Sequence, residues 1–212
     1  MRKQSREPRP KSALGDEEYI GWDDIIKWLI DAKAPPKNAT VKITREAAIR
    51  GQLESAIILW FLEGDVAAIH ALASAAQELL QCVGRTKGKS SPTVKWIKSQ
   101  PKATQVKLRS PQNFFKHANV DTDEVLDYPT MQGDMYLIDA VASFHDVFSK
   151  VTPLMRLFAA RLTLENPDIL RPSYTSGWIL WGAKIEDIAQ LCRSDFLAEA
   201  VCRVPKTHKA AS

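Results

Sequence analysis

The sequence predicts an all-α fold: an antiparallel helical bundle of about six or seven helices behind a disordered N-terminal arm. Three observations carry this. Apolar residues recur at helical spacing through most of the chain. Helix-start signals precede several of these runs, at Thr44, Asp65, Ser110-Pro111 and Thr152-Pro153. Glycine is scarce, 9 in 212 residues, which argues against a turn-rich β-sandwich.

Taken in order, residues 1–15, MRKQSREPRPKSALG, read as a basic arm. It lacks the apolar stretch of a secretory signal. Residues 16–212 read as one helical domain, with a central part over 43–150 and C-terminal helices over 151–212. A first helix is expected from about Trp22 to Ala34 and stops at Pro35-Pro36. The next follows Thr44, with Ile49, Leu53, Ile57 and Trp60 as its apolar stripe and Glu46, Arg50 and Glu54 as a charged row. Gly64-Asp65 ends it and opens a third helix from about Val66 to Val83. So short a link predicts an antiparallel hairpin. Residues 84–110 hold two prolines and mixed periodicity, and read as a loop with a short helix around Val94–Lys98. Ser110-Pro111 starts the helix carrying QNFFKHA. An acidic loop over 119–130 follows, then a helix from about Gln132 to Lys150. Thr152-Pro153 opens one running to about Glu165, and a last spans about Ile185 to Val204 with a break near Ser194.

Charge is unevenly distributed. Between Glu78 and Asp121 there is no acidic residue, while Arg85, Lys87, Lys89, Lys95, Lys98, Lys102, Lys107, Arg109 and Lys116 fall in that interval. From Asp121 to Asp146 the chain carries seven Asp or Glu and no Lys or Arg. The two blocks read either as complementary surfaces within the fold or as a cationic surface, over 85–109, for RNA or a nucleotide. A protein partner or a homo-oligomer is the other expectation. Cys82, Cys192 and Cys202 are odd in number and show no CxxC spacing, so buried structural thiols in a reducing, cytoplasmic setting are expected. The longest apolar run, Ala56–Leu62, is far short of the roughly 20 residues of a membrane helix.

No Walker A loop, GxGxxG, GxSxG or HExxH is present, so no cofactor and no metal are expected. The informative segment is Ser110–Ala118. On a helix beginning at Pro111, Asn113 and His117 share one face, Phe114 and Ala118 the next, and Gln112 and Lys116 a third. Aromatic anchoring would hold an amide and an imidazole in fixed directions, with Lys116 beside them for a phosphate. Histidine suits proton transfer near neutral pH. His70 is the second candidate. It shares a polar stripe with Ser74, Gln77 and Gln81, which faces either solvent or the QNFFKH helix. In the second case His70, Asn113 and His117 form a pocket and Glu54 orients one imidazole. A structural histidine is the alternative for both positions.

The pairing of AIHALASAAQELL with QNFFKHANVDTDEVLDY, within residues 43–150, resembles a bacterial group of helical proteins of unassigned activity that carry an NFFKHA-type segment. More distantly it is similar to the HEPN superfamily, antiparallel bundles with an Arg-x4-6-His motif that is often Arg-Asn-x3-His. That superfamily includes metal-independent RNases as well as nucleotide-binding and non-catalytic members. Asn113 and His117 match the Asn-x3-His part. Gln112 stands in the arginine position, and Arg109 lies upstream of it. The resemblance implies a binding module for a nucleotide, RNA or protein, with His70, Asn113, Lys116 and Arg109 as ligand contacts. Its enzymatic alternative is an RNase with His117 as general acid and base and Lys116 or Arg109 replacing the arginine. A structural or oligomerising bundle is a third reading.

Overall fold

The computed structural model describes residues 40–116, 125–168 and 185–203. Among them there are eight helices and no strand. The fold is all-α, as the periodicity predicts. The expected arm and the helix over Trp22–Ala34 lie outside the described residues.

Helix α1 spans Arg45–Phe61 and α2 spans Val66–Thr86. Thr44 caps α1 through its hydroxyl, which accepts from Ala47 N at 3.1 Å. The expected stripe Ile49, Leu53, Ile57 and Trp60 is buried in full. The α1–α2 link is a Schellman turn, with Gly64 N donating to Leu59 O at 2.8 Å and Glu63 N to Trp60 O at 3.2 Å. The left-handed position falls on Glu63, at φ 51°, rather than on the glycine. Gly64 serves a different need: a Cβ there would meet Leu59 O at 3.2 Å. Asp65 then caps α2 through Ala68 N at 2.7 Å.

Residues expected to be mostly loop form two helices, α3 over Pro92–Ser99 and α4 over Lys102–Lys116. Pro111 therefore does not start a helix but sits inside α4. An interior proline costs about 3 kcal/mol by removing one hydrogen bond and crowding the preceding turn. Here the Pro111 side chain is buried, and the preceding KATQVKLR run consists largely of good helix formers, so the helix continues through it. Gln105 fixes the α3–α4 corner, donating to Lys98 O at 3.1 Å and Gln100 O at 2.8 Å. These are carbonyls that the end of α3 leaves without helical donors.

Helix α5 spans Thr130–Phe148, α6 Pro153–Glu165, α7 Ile185–Ala189 and α8 Arg193–Arg203. Thr152 caps α6 as expected, through Met155 N at 3.3 Å. The break between α7 and α8 lies just before Ser194. Contacts give the relative directions. Glu46 pairs with Lys150 at one end of α1 while Trp60 Nε1 donates to Asp134 at the other, so α1 and α5 run antiparallel. His70 packs on Tyr136, and Gly84 lies against Val147, so α2 and α5 run parallel. Helices α3 and α4 make this possible by carrying the chain back between them.

The core lies among α1, α2, α5, α6 and α8. Trp60 meets Phe158 edge-on with centroids 4.8 Å apart, and Phe61 stacks on Phe196 at 6.1 Å. A charged cluster closes one end. Arg193 lies 3.8 Å over the Trp60 ring and pairs with Glu165 at 2.7 Å, and Arg161 donates to the same carboxylate at 2.8 Å. Helix α2 is, by length and composition, apolar enough to cross a bilayer. In this fold it packs against α1, α4 and α5 and buries His70, Ser74 and Gln77.

The cysteines differ from expectation. Cys82 and Cys192 are exposed and Cys202 is half-buried. Cys82 lies on the outward side of α2, and the Cys192 thiol accepts from Asp195 N at 3.4 Å at the start of α8.

Candidate functional site

The polar stripe of α2 faces inward. His70, Ser74 and Gln77 are all buried, so the solvent-facing option is overturned. What receives them is a second polar stripe on α5, with Tyr136, Asp139 and Ser143 at helical spacing. His70 Nδ1 and the Tyr128 hydroxyl are 2.8 Å apart. Around the imidazole stand Phe115 at 5.1 Å, Tyr128 at 5.4 Å and Tyr136 at 4.8 Å between ring centroids. Phe115 belongs to α4, so the QNFFKH helix does cover His70, but with an aromatic ring. Burial is the main reason both phenols titrate above their ordinary value, and the Asp134 charge adds to the effect at Tyr128. Both therefore stay protonated at neutral pH.

One turn along, the Gln77 amide donates to Asp139 and to Ser143 Oγ, the latter at 3.4 Å. Ser91 Oγ reaches both Asp139 oxygens, at 3.0 and 3.1 Å, and accepts from Val94 N at 3.2 Å. Asp139 thus closes the N-terminus of α3 from a different helix. Burial raises its carboxyl above the ordinary range, and hydrogen bonds from Thr93 and Ser91 oppose the shift without cancelling it.

Between α2, α3, α4 and α5 lies an open cleft of about 380 Å³. Helix α2 contributes Ser74, Gln77, Glu78 and Gln81, and α4 contributes Arg109, Gln112 and Asn113. Thr93, Val94, Ile97 and Lys98 of α3 and Tyr136 and Asp139 of α5 complete the described wall. Asn113 and Arg109, two of the expected ligand contacts, both line this cleft. His70 is set behind this wall, sealed by its aromatic neighbours, and is not among the described residues lining it. Glu54 does not orient an imidazole, because it faces Arg50 at 3.9 Å on the surface of α1. His117 and the Lys116 side chain lie outside the described residues. Gln112 donates to Glu78 Oε1 at 2.7 Å, so the position that holds an arginine in the HEPN pattern is tied to a carboxylate.

The basic block, two of whose members also line the cleft, is open to solvent. Arg85, Lys87, Lys89, Lys95, Lys98, Lys102, Lys107 and Arg109 are all exposed. Among the described residues, none of their side chains forms an ion pair. Lys87 has a structural task, since its ammonium donates to Val147 O at 2.9 Å at the end of α5 and lies 4.7 Å over the Phe148 ring. Among the described residues, the acidic and basic blocks meet through caps, Asp139 on α3 and Lys87 on α5.

Asp139, Tyr136 and Tyr128 were not singled out by sequence reasoning. A signal was present: Tyr136, Asp139 and Ser143 share one face of α5 at helical spacing, as His70, Ser74 and Gln77 do on α2. Among the described residues no group of three His, Cys, Asp or Glu could hold a metal ion. No family model, no curated protein and no solved structure matches this chain.

Proposed function

We propose that this protein is a non-enzymatic, HEPN-like helical module that binds the phosphate backbone of a nucleic acid through the surface of α3, α4 and the turn before them. The observation that carries this is the row of exposed cations from Arg85 to Arg109, with no described carboxylate paired to any of them. A protein gains nothing in stability by leaving such a block unneutralised, since like charges repel. A polyanion neutralises it and releases its own counterions, which drives association. The cleft beside the surface, with Arg109 and Asn113 on its wall, extends the polar contact area.

The enzymatic alternative assigns acid–base work to His117. The engagement of Gln112 by Glu78 favours the binding reading, because an arginine clamp is what an Arg-Asn-x3-His nuclease would need there.

Charge reversal tests the proposal. Lys87 is left unchanged because it caps α5. The unmodified protein is expected to bind RNA or DNA at low salt, with log K falling linearly as log salt rises. Replacing Lys89, Lys95 and Lys98 together by Glu should abolish that binding while leaving the thermal transition in place. No retention of the unmodified protein on nucleic acid or heparin at low salt would remove the proposal. RNA incubated with the protein in a chelator should stay intact. Cleavage that disappears in His117→Ala would move the assignment to the enzyme.

A further inference from the structure

We infer that the nucleic acid this surface takes is single-stranded, and that an unpaired base stacks on Trp96. The inference rests on the binding reading above. Trp96 lies on α3 with its side chain 53% exposed, next to Lys95 and two residues before Lys98. A large aromatic ring left half in water is costly where nothing is to cover it. The other described tryptophan, Trp60, is buried in the core with its indole nitrogen bonded to Asp134. Trp96 therefore stands out by position as well as exposure: it is a large aromatic ring on the same short helix as the exposed Lys95 and Lys98.

Its backbone is held firmly. The Trp96 carbonyl accepts from Ser99 Oγ at 2.7 Å and from Gln100 Nε2 at 3.2 Å. Gln105 ties the same corner to α4, and Asp139 holds the opposite end of α3 through Ser91. Both ends of the helix are anchored to the body of the protein, so the ring is presented from a preorganised support. Ordering on binding then costs less.

The partner follows from this chemistry. In a duplex the faces of the bases are already stacked on each other, so a ring projecting from a cationic surface meets only phosphate and sugar. In a single strand each base has a face available, and cations flanking an aromatic platform can follow the backbone on either side. Exposed Trp beside exposed lysines is the arrangement that single strand fits. The same arrangement has a lipid counterpart, an anionic membrane surface with the indole at its interface, and the experiment separates the two.

Fluorescence anisotropy would compare a labelled oligo(dT) of 20 nucleotides, a 20-base-pair duplex and phosphatidylserine-containing vesicles, using the unmodified chain, Trp96→Ala and Trp96→Phe. The oligonucleotide should bind more tightly than the duplex. Trp96→Ala should weaken oligo(dT) binding on the order of tenfold, and Trp96→Phe should retain most of it. Duplex affinity should not respond to either substitution. Because the ring is exposed, melting temperatures should agree among the three proteins. Binding of both nucleic acids with no response to Trp96→Ala would overturn this inference and leave the cationic surface standing. A Trp96 effect seen only with vesicles would also overturn it. Binding of neither nucleic acid would remove the reading on which it rests.

Discussion

A Cβ added at Gly133 would stand 2.8 Å from the Tyr128 hydroxyl, the same oxygen that lies 2.8 Å from His70 Nδ1. Gly133 is thus the space through which a tyrosine ahead of α5 reaches a histidine near the start of α2. Gly133→Ala gains up to about 1 kcal/mol in helix propensity. It also displaces the phenol from the buried imidazole, and loss of that hydrogen bond costs about 1–3 kcal/mol. The second effect wins, because the Tyr128 ring is confined by Phe115 and His70 and has little room to give. A net loss of roughly 1–2 kcal/mol in urea unfolding is expected. A stabilised variant would mean that the Tyr128–His70 contact contributes little.

The stripe on α1 gives a harsher test. Ile57 is fully buried. Ile57→Asp would put an unpaired carboxylate in the core, and the expected outcome is loss of the cooperative thermal transition, since the cost rivals the whole stability of a domain. An unchanged melt by circular dichroism would contradict the packing of α1.

The apolar stripes were legible because burial of aliphatic side chains repeats with the helix turn. Ile49, Leu53, Ile57 and Trp60 could be read directly, as could the caps at Thr44, Asp65 and Thr152, which depend only on residues three apart. The basic region was misread for the converse reason. Helix α3 is held by Asp139, which bonds to Ser91 across a chain distance that no local window covers, and Pro111 imitates a start signal inside a helix. The candidate site was partly legible. The expected pocket joined His70, Asn113 and His117; Asn113 lines the cleft, but the place of His70 is set by Tyr128, Phe115 and Tyr136, drawn from three separate segments.

The charged cluster at the end of the bundle has a definite response to pH. Burial acts to raise the Glu165 carboxyl, but hydrogen bonds and charge from Arg193 and Arg161 outweigh it and hold it below its ordinary value of 4.5. A carboxyl with a lowered folded-state value stabilises the fold above its unfolded value, and that contribution is lost as pH falls through the folded value. Glu165→Gln should therefore cost stability at pH 7, about 1–3 kcal/mol for breaking a largely buried pair. The deficit should begin to shrink as pH falls below about 4.5, where the unfolded chain takes up the proton first, and should close as pH falls through the lower folded-state value. Urea titrations of both proteins across pH 3 to 7 would check this. A deficit independent of pH would assign the loss to packing instead of charge.

Two lysines of the basic block should separate cleanly. Lys87 caps α5 through Val147 O and covers Phe148, whereas Lys95 is exposed and makes no described bond through its ammonium. Lys87→Ala removes a charge-assisted hydrogen bond and a cation–π contact, so it should lower stability by about 1 kcal/mol. Lys95→Ala should leave stability within about 0.5 kcal/mol of the unmodified protein, as exposed substitutions do. Their effects on nucleic-acid binding should be reversed. If Lys95 neutralises one phosphate, its loss reduces the slope of log K against log salt by about 0.9. The Lys87 ammonium is already engaged by a carbonyl, so its removal should leave that slope unchanged. Thermal melts paired with binding isotherms at four salt concentrations would measure both quantities. Equal slopes for the two variants would show that the block acts as diffuse charge and that the cap on α5 does not set Lys87 apart.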